Sequence, residues 1–181
     1  FNVGCPATDV LLKAPLKTRE ETLAELQSSH VKENVTIDFL KPYQLLIEIS
    51  AGAGAVMGDT FEEIAAFLKG AERGDEIGVC FDTQHAFASG YDLRTKDAIK
   101  KTFAEFDKHI GLERLVMSHC NDSKVELGGK KDRHEHLGKG YIGLPAFEAI
   151  VKHKPLKHLD LILETPWDEE LAADMAHLKT F

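Results

Sequence analysis

Four residues that can bind a metal ion stand where apolar segments of this sequence end. Glu48, Asp82, His119 and Glu164 each lie at or near the end of a short apolar run, separated by steps of roughly 30 residues or more. Carboxylates and imidazole are ligands that zinc accepts, and a buried acid is costly unless it is paired or metal-bound. Parallel strands would bring their carboxyl ends together on one face. We call these four residues the strand-end group; helix capping and buried ion pairs are the alternative interpretation.

A second set of candidate ligands comes from segments next to those strand ends. His85 follows the second apolar run, and Asp132 and His134 lie in the polar, glycine-containing stretch from His119 to Gly140. Residues two apart in an extended segment point to the same side, so Asp132 and His134 can meet one ion. Three protein ligands with one open position are typical of a catalytic zinc. We call His85, Asp132 and His134 the two-histidine group.

Two neighbours of these ligands have other expected roles. Cys120 directly follows His119, so its side chain should point the opposite way, into packing, because side chains alternate along a strand. His136 either orients a ligand or faces water, and the sequence slightly favours water.

An alternation of strands and helices would position these residues. Short apolar runs predict buried parallel strands, and apolar residues at helical spacing predict helices between them. The predicted helices span 18–26, 60–69, 95–109, 145–152 and 169–178, and the predicted strands span 45–49, 77–81, 114–118 and 159–163. The segments that follow the second and third strands are predicted loops. This order of elements predicts a parallel α/β fold.

Composition limits the class of protein. The chain has 181 residues, 43% hydrophobic and 29% charged, which suffices for one sizeable core, so we predict a single domain over 1–181. The net charge of −8 argues against a surface that binds nucleic acid throughout and leaves a local basic patch open. Three cysteines in or beside apolar runs indicate free thiols, and no apolar run reaches membrane-spanning length, so we expect a cytoplasmic protein.

Four motifs carry a resemblance to a known family. They are GVCFDTQHAFASGYD at 78–92, HCNDSKVELGGKKDRHEHLGKGYIG at 119–143, LILETP at 161–166 and, less fully, LLIEISAGAG at 45–54. On these motifs the sequence resembles the endonuclease IV family of apurinic/apyrimidinic (AP) DNA-repair endonucleases. The resemblance covers about residues 44–170, and residues 1–43 match the family poorly.

The resemblance implies an α/β fold, the TIM (β/α)₈ barrel of the xylose isomerase-like type, with a site for up to three zinc ions. By motif position, Glu48 would bridge two zinc ions, and Asp82, His119 and Glu164 would join it on one of them. The third zinc would be held by the two-histidine group. Glu48 and Glu164 would be the catalytic residues. Manganese or iron can also occupy sites with nitrogen and oxygen ligands.

The family hydrolyses the phosphodiester 5′ to an abasic site in double-stranded DNA and leaves a 3′-hydroxyl. The residue types suit that reaction, because metal ions lower the pKa of a bound water and stabilise the leaving alkoxide. Lys124, Lys130 and Arg133, with Lys131 and Lys139 beside them, would contact DNA phosphates. The alternative for these basic residues is a solvated loop.

Chain length and histidine content depart from the family pattern. A complete barrel takes about 250 residues, and the four clear strand–helix units resemble its second half. The family's first half supplies two more histidine ligands, and neither is found. If 1–6 is the remnant of a strand that carries one of them, Gly4 or Cys5 occupies its position, and packing is the expected role of Cys5. Two of three metal positions are thus retained. The chain opens at Phe1, as a fragment or processed chain would. Exposed strand edges of a half barrel predict pairing with another copy or a missing half.

Two other functions stay open at this point. Sugar isomerases and epimerases of the xylose isomerase type also place Glu, Asp, His and Glu at successive strand ends around a divalent metal. The two-histidine group speaks against them, since their chemistry needs no further zinc there. A non-catalytic metal-binding remnant is the other alternative.

Overall fold

The computed structural model describes residues 44–181, of which Leu46–Phe181 form one compact unit. The helix predicted at 18–26 and the position of Cys5 lie outside the described residues. Within 44–181, no helix combines the length and apolar character needed to cross a membrane.

Four parallel strands form the central sheet, in the order β1 (Leu46–Glu48), β2 (Gly78–Asp82), β3 (Leu115–His119) and β6 (Asp160–Ile162). The register places Asp82 directly beside His119. All four strands run the same way, so their carboxyl ends share one edge of the sheet. The predicted strands and the predicted parallel α/β architecture are confirmed. The edge that carries the candidate ligands is therefore built by strand pairing.

Four of the helices cover the sheet and match the predicted ones to within two residues. They are α1 (Phe61–Gly70), α3 (Lys96–His109), α4 (Leu144–Val151) and α5 (Leu171–Thr180). Threonine hydroxyls cap the first two, since Thr60 accepts from the Glu63 amide at 3.2 Å and Thr95 from the Ala98 amide at 3.1 Å. These caps fix where each helix begins.

The segment after β2 is a helix, and its prediction as a loop was wrong. Helix α2 (Thr83–Ser89) begins at Asp82, whose side chain accepts from the His85 amide at 2.9 Å, and ends at Gly90 in the left-handed region (φ 117°). The helix is short and buried on nearly every side, so it lacks the alternation of apolar and polar faces by which helices are recognised. The helix fixes the direction of His85.

The stretch after β3 also contains ordered structure within the predicted loop. Two short strands, β4 (Asp122–Ser123) and β5 (His134–Glu135), pair in antiparallel fashion. The pairing matches Ser123 with His134 and so returns the chain to the sheet edge where β3 ends.

Aromatic side chains between the helices and the sheet make the centre of the core. Phe61 of α1, Phe81 of β2 and Phe106 of α3 are fully buried, and the Phe61 and Phe106 ring centroids lie 5.3 Å apart in an edge-on arrangement. Strand β2 is buried along its whole length. Packing on both faces thus holds the strand that ends in Asp82.

Candidate metal centre

The strand-end group converges as its spacing predicted. The His119 Nδ1 atom lies 2.7 Å from Glu48 Oε1, 3.1 Å from Glu164 Oε2 and 3.6 Å from Asp82 Oδ2. One ligand atom from each residue falls within 4.8 Å of the others. Three residues at the ends of β1, β2 and β3 and one that follows β6 thus come together at the same edge of the sheet.

The charge balance of this group calls for a cation. The Asp82 side chain is 0% exposed, and burial raises the pKa of its carboxyl. Burial works to lower the pKa of His119, but hydrogen bonds with Cys80, Glu164 and Glu48 raise it to about 12. Three carboxylates surround one imidazole, which holds a proton among them. A divalent cation would take the place of that proton and neutralise the carboxylates.

The two-histidine group forms a compact triangle of ligand atoms. His85 Nε2 and His134 Nε2 lie 3.4 Å apart, and Asp132 Oδ1 lies 3.4 Å and 3.2 Å from them. Zinc–ligand bonds of about 2.0–2.1 Å at tetrahedral angles place ligand atoms about 3.3 Å apart. The three atoms therefore match one face of a zinc tetrahedron. Asp132 is the most exposed of the three, and the buried Asp82 carboxylate also approaches this group, with Oδ2 at 3.8 Å from His134 Nε2.

Backbone carbonyls set the orientation of both imidazoles. His85 Nδ1 lies 2.9 Å from the Ile49 carbonyl oxygen, and His134 Nδ1 lies 2.9 Å from the Glu164 carbonyl oxygen. A carbonyl oxygen can only accept, so each Nδ1 carries the proton and donates it. Each Nε2 then keeps its lone pair for a metal. The tautomers of both histidines and the distances between the three ligand atoms therefore suit a zinc ion.

Comparison with known proteins identifies the family. The sequence profile described as Xylose isomerase-like TIM barrel matches residues 10–181. The chain belongs to this family. The predicted resemblance to endonuclease IV is also confirmed, because proteins named endonuclease 4 or endonuclease IV are among the relatives of this chain.

Curated relatives of the chain carry the name "Probable endonuclease 4", and two of them illustrate the extent of the match. The one from Chlorobium limicola is 44% identical over 142 residues, which is 76% of this chain and 49% of the relative. The one from Campylobacter hominis is 48% identical over 132 residues, 71% of this chain and 47% of the relative. The chain thus spans about half the length of the curated relatives it matches.

A solved structure extends the comparison to three dimensions. The crystal structure of endonuclease IV from Thermus thermophilus matches with a TM-score of 0.64 and 33% identity, over 81% of this chain and 56% of that one. The similarity covers most of this chain, and the predicted barrel class is therefore confirmed at the level of both sequence and fold.

Asn121 supports the candidate metal centre, and the sequence analysis did not identify it. Its buried side chain donates from Nδ2 to Asp82 Oδ2 at 2.8 Å and accepts at Oδ1 from the Glu164 amide at 2.7 Å. Asn121 therefore ties the ends of β2 and β6 together. Its place two residues after His119, inside the long motif, was the available signal.

Asp122 has the side chain of a ligand but holds the backbone instead. It is fully buried, and its carboxylate accepts from the amides of Ser123, Gly138, Ile142 and Gly143 at 2.7–3.1 Å. Four amide donors satisfy the carboxylate, so Asp122 folds the loop back on itself. Cys120 packs in the core, as predicted.

His136 does not face water, and the expectation that it does was wrong. It is 5% exposed, with Nδ1 at 2.7 Å from Asp174 Oδ2 and Nε2 at 3.2 Å from Asp168 Oδ2. Asp174, on α5, also accepts from the Leu137 amide at 2.9 Å. This network attaches the last helix to the segment that carries His134. No sequence pattern near His136 reveals partners that lie more than 30 residues away.

The basic residues predicted to contact DNA are exposed but partly paired. Lys130 Nζ lies 3.0 Å from Asp59 Oδ2, Lys124 Nζ lies 4.0 Å from Glu135 Oε2, and Lys139 pairs with Glu170. Arg133 is exposed and donates to the Asp132 carbonyl. Such surface pairs are weak, so phosphate groups can compete for these cations. Their contact with DNA stays a prediction.

Proposed function

We propose that this chain is the metal-binding part of a zinc-dependent AP endonuclease of base excision repair. In this reaction the phosphodiester 5′ to an abasic site of double-stranded DNA is hydrolysed to leave a 3′-hydroxyl. The observation that carries the proposal is the triangle of His85, His134 and Asp132 ligand atoms beside the strand-end group. The names of the relatives support the nuclease class.

The two groups of ligands would hold one zinc ion each and lie close to one another. Asp82 Oδ2 is 3.8 Å from His134 Nε2 as well as 3.6 Å from His119 Nδ1, so this carboxylate faces both groups. When bound, zinc lowers the pKa of water and neutralises the oxygens of a phosphate group. Manganese or iron would serve with the same ligand types.

The burial or exposure of each side chain indicates the role that it would have in the reaction. Asp82 and His119 are buried and keep the ligand geometry fixed. Glu164 is one-third exposed on its side chain, so it can meet a substrate and orient the attacking water. Glu48, at the end of β1, contacts His119 of β3 across the end of β2 and completes the acidic side of the site. Lys124, Lys130 and Arg133 would bind DNA phosphates from the adjacent loop.

A sugar isomerase or epimerase remains the competing enzyme class within this family. The strand-end group alone would suit either reaction. The two-histidine group favours the nuclease, because a second ion near the first gives a phosphate two cations to contact. A metal-binding chain without turnover is the third interpretation, and a single preparation can separate all three.

The proposal is tested by metal content and nicking on the same preparation. We expect elemental mass spectrometry of protein purified without added metal to find at least two zinc ions per chain. We expect a duplex with one abasic-site analogue to be cut on its 5′ side, while the same duplex without the analogue stays intact. Two metals without nicking would indicate the metal-binding remnant. Conversion of an aldose sugar without nicking would establish the isomerase class instead.

A further inference from the structure

Trp167 is an exposed aromatic residue beside the candidate metal centre. It is 94% exposed, whereas the next most exposed large hydrophobic residue among those described, Met57, is 61% exposed. It is also the only tryptophan of the chain. A ring of this size normally buries much of its surface, so one held in solvent three residues from a candidate metal ligand points to a partner molecule that covers it.

The loop that carries Trp167 is held at several points. The Glu164 amide donates to Asn121 Oδ1 at 2.7 Å, and the Thr165 hydroxyl donates to Asp174 Oδ2 at 2.7 Å. On the other side of Trp167, Asp168 Oδ2 lies 3.2 Å from His136 Nε2. The ring thus projects from an anchored backbone, and its exposure is not that of a loose chain end.

The short stretch of chain between Glu164 and Trp167 limits how far Trp167 can lie from the metal ligands. Trp167 is three residues after Glu164, so their Cα atoms are at most about 11 Å apart. The rise of a DNA strand is about 3.4 Å per nucleotide, which places the ring within reach of nucleotides up to about three steps from a phosphate at the metal ligands.

Two of the three acids that follow Trp167 are engaged, and the third, Glu169, is exposed. Asp168 is paired with His136, and Glu170 is paired with Lys139. These pairs reduce the local repulsion that a polyanion would meet on approaching the ring. The surface around Trp167 therefore combines a free aromatic face with partly neutralised charge.

We propose that Trp167 stacks on a nucleobase of the DNA beside the cleaved phosphodiester. The proposal rests on the proposed nuclease function and assigns one substrate contact to it. An abasic site leaves the neighbouring bases without a stacking partner on one face, and an indole ring can cover that face. Since the ring touches no reacting atom, Trp167 contributes to binding in the ground state and the transition state alike.

The single tryptophan makes the contact directly measurable. Zinc-loaded protein is mixed with a duplex that carries one abasic-site analogue in a stopped-flow fluorimeter, and tryptophan emission is recorded before nicking. We expect quenching that saturates with DNA concentration, and weaker quenching with the intact duplex. In steady-state nicking, we expect Trp167→Ala to raise KM about 5- to 150-fold at nearly unchanged kcat. Trp167→Phe should keep most of the affinity, and Met175→Ala, which removes another exposed apolar side chain, should leave KM unchanged.

Each contrary result identifies what fails. Nicking with silent emission and an unchanged KM in Trp167→Ala overturns the stacking contact and leaves the nuclease intact. Absence of DNA binding in both assays overturns the nuclease proposal and the stacking contact together. If Trp167→Ala changes the oligomeric state by light scattering and leaves KM unaltered, the ring belongs to a contact between protein chains, and the stacking assignment is wrong.

Discussion

At the scale of single residues, the two-histidine group gives the most specific prediction about metal binding. His134 has its Nδ1 atom bound to the Glu164 carbonyl and its Nε2 atom directed at His85 and Asp132. We expect His134→Ala to lose one equivalent of zinc in elemental mass spectrometry. His158→Ala is the matched control, because His158 bonds the Leu115 carbonyl at the far end of β3. An unchanged zinc content in His134→Ala would remove this group from the metal centre.

Glu164 differs from the other acids of the strand-end group by its exposure. Its carboxylate approaches His119 at 3.1 Å while about a third of the side chain faces solvent. We expect Glu164→Gln to keep the fold by circular dichroism and to lower nicking at least about 100-fold, since the amide can neither accept a proton nor neutralise a cation. Nicking at the wild-type rate in this variant would exclude Glu164 from the mechanism.

The ligands were predictable because each carries its chemistry in its residue type and its place at a strand end. Asn121 and Asp174 were not predictable in the same way. Their role is to hold other residues through hydrogen bonds to partners 38–43 positions away. Such bonds depend on which strands and helices become neighbours, and no local pattern records that.

At the scale of elements, the loop between β5 and α4 depends on a close backbone approach. A Cβ atom at Gly140 would lie 2.4 Å from the Ser123 carbonyl oxygen and 2.5 Å from Asp122 Oδ1. We expect Gly140→Ala to lower the free energy of unfolding by about 1–3 kcal/mol, because backbone and a fully bonded carboxylate must move. Urea unfolding followed by circular dichroism measures this change.

Gly70 provides the control for that substitution. It ends α1, and a Cβ atom there meets nothing within 4 Å. We expect Gly70→Ala to change the free energy of unfolding by less than about 1 kcal/mol, in the stabilising direction. Equal effects at the two glycines would show that the contacts of Gly140 do not constrain the loop.

The four strands of the sheet and the helices that cover it were predictable from the sequence, whereas α2 was not. The strands are continuous apolar runs, and α1 and α3 have threonine caps with an apolar face. Helix α2 starts on Asp82, a residue whose type suggested a ligand, and nearly all of its side chains are buried. The Asp82 carboxylate therefore serves both as the cap of α2 and as part of the candidate site. Because Asp82 was predicted only as a ligand, the helix that it begins was missed.

At the scale of the molecule, a bound metal should contribute to stability. The strand-end group collects three carboxylates and one imidazole from β1, β2, β3 and the residues after β6, and a cation would relieve their repulsion. We expect EDTA to lower the Tm by about 5–10 °C, as for a ligand present at about 100 times its Kd. EDTA saturated with zinc beforehand should leave the Tm unchanged. Equal Tm values with and without free EDTA would contradict the metal centre.

The register of the sheet has a consequence for how the ligand sets come into being. Glu48 and His119 are separated by 71 residues in sequence, and His85 and His134 by 49. No short peptide cut from this chain contains either complete set: the stretch 119–143 holds Asp132 and His134 but not His85. Because closing such long loops is entropically costly, strand pairing must supply the free energy that brings the ligands together. High-affinity zinc binding would then report that the chain has finished folding.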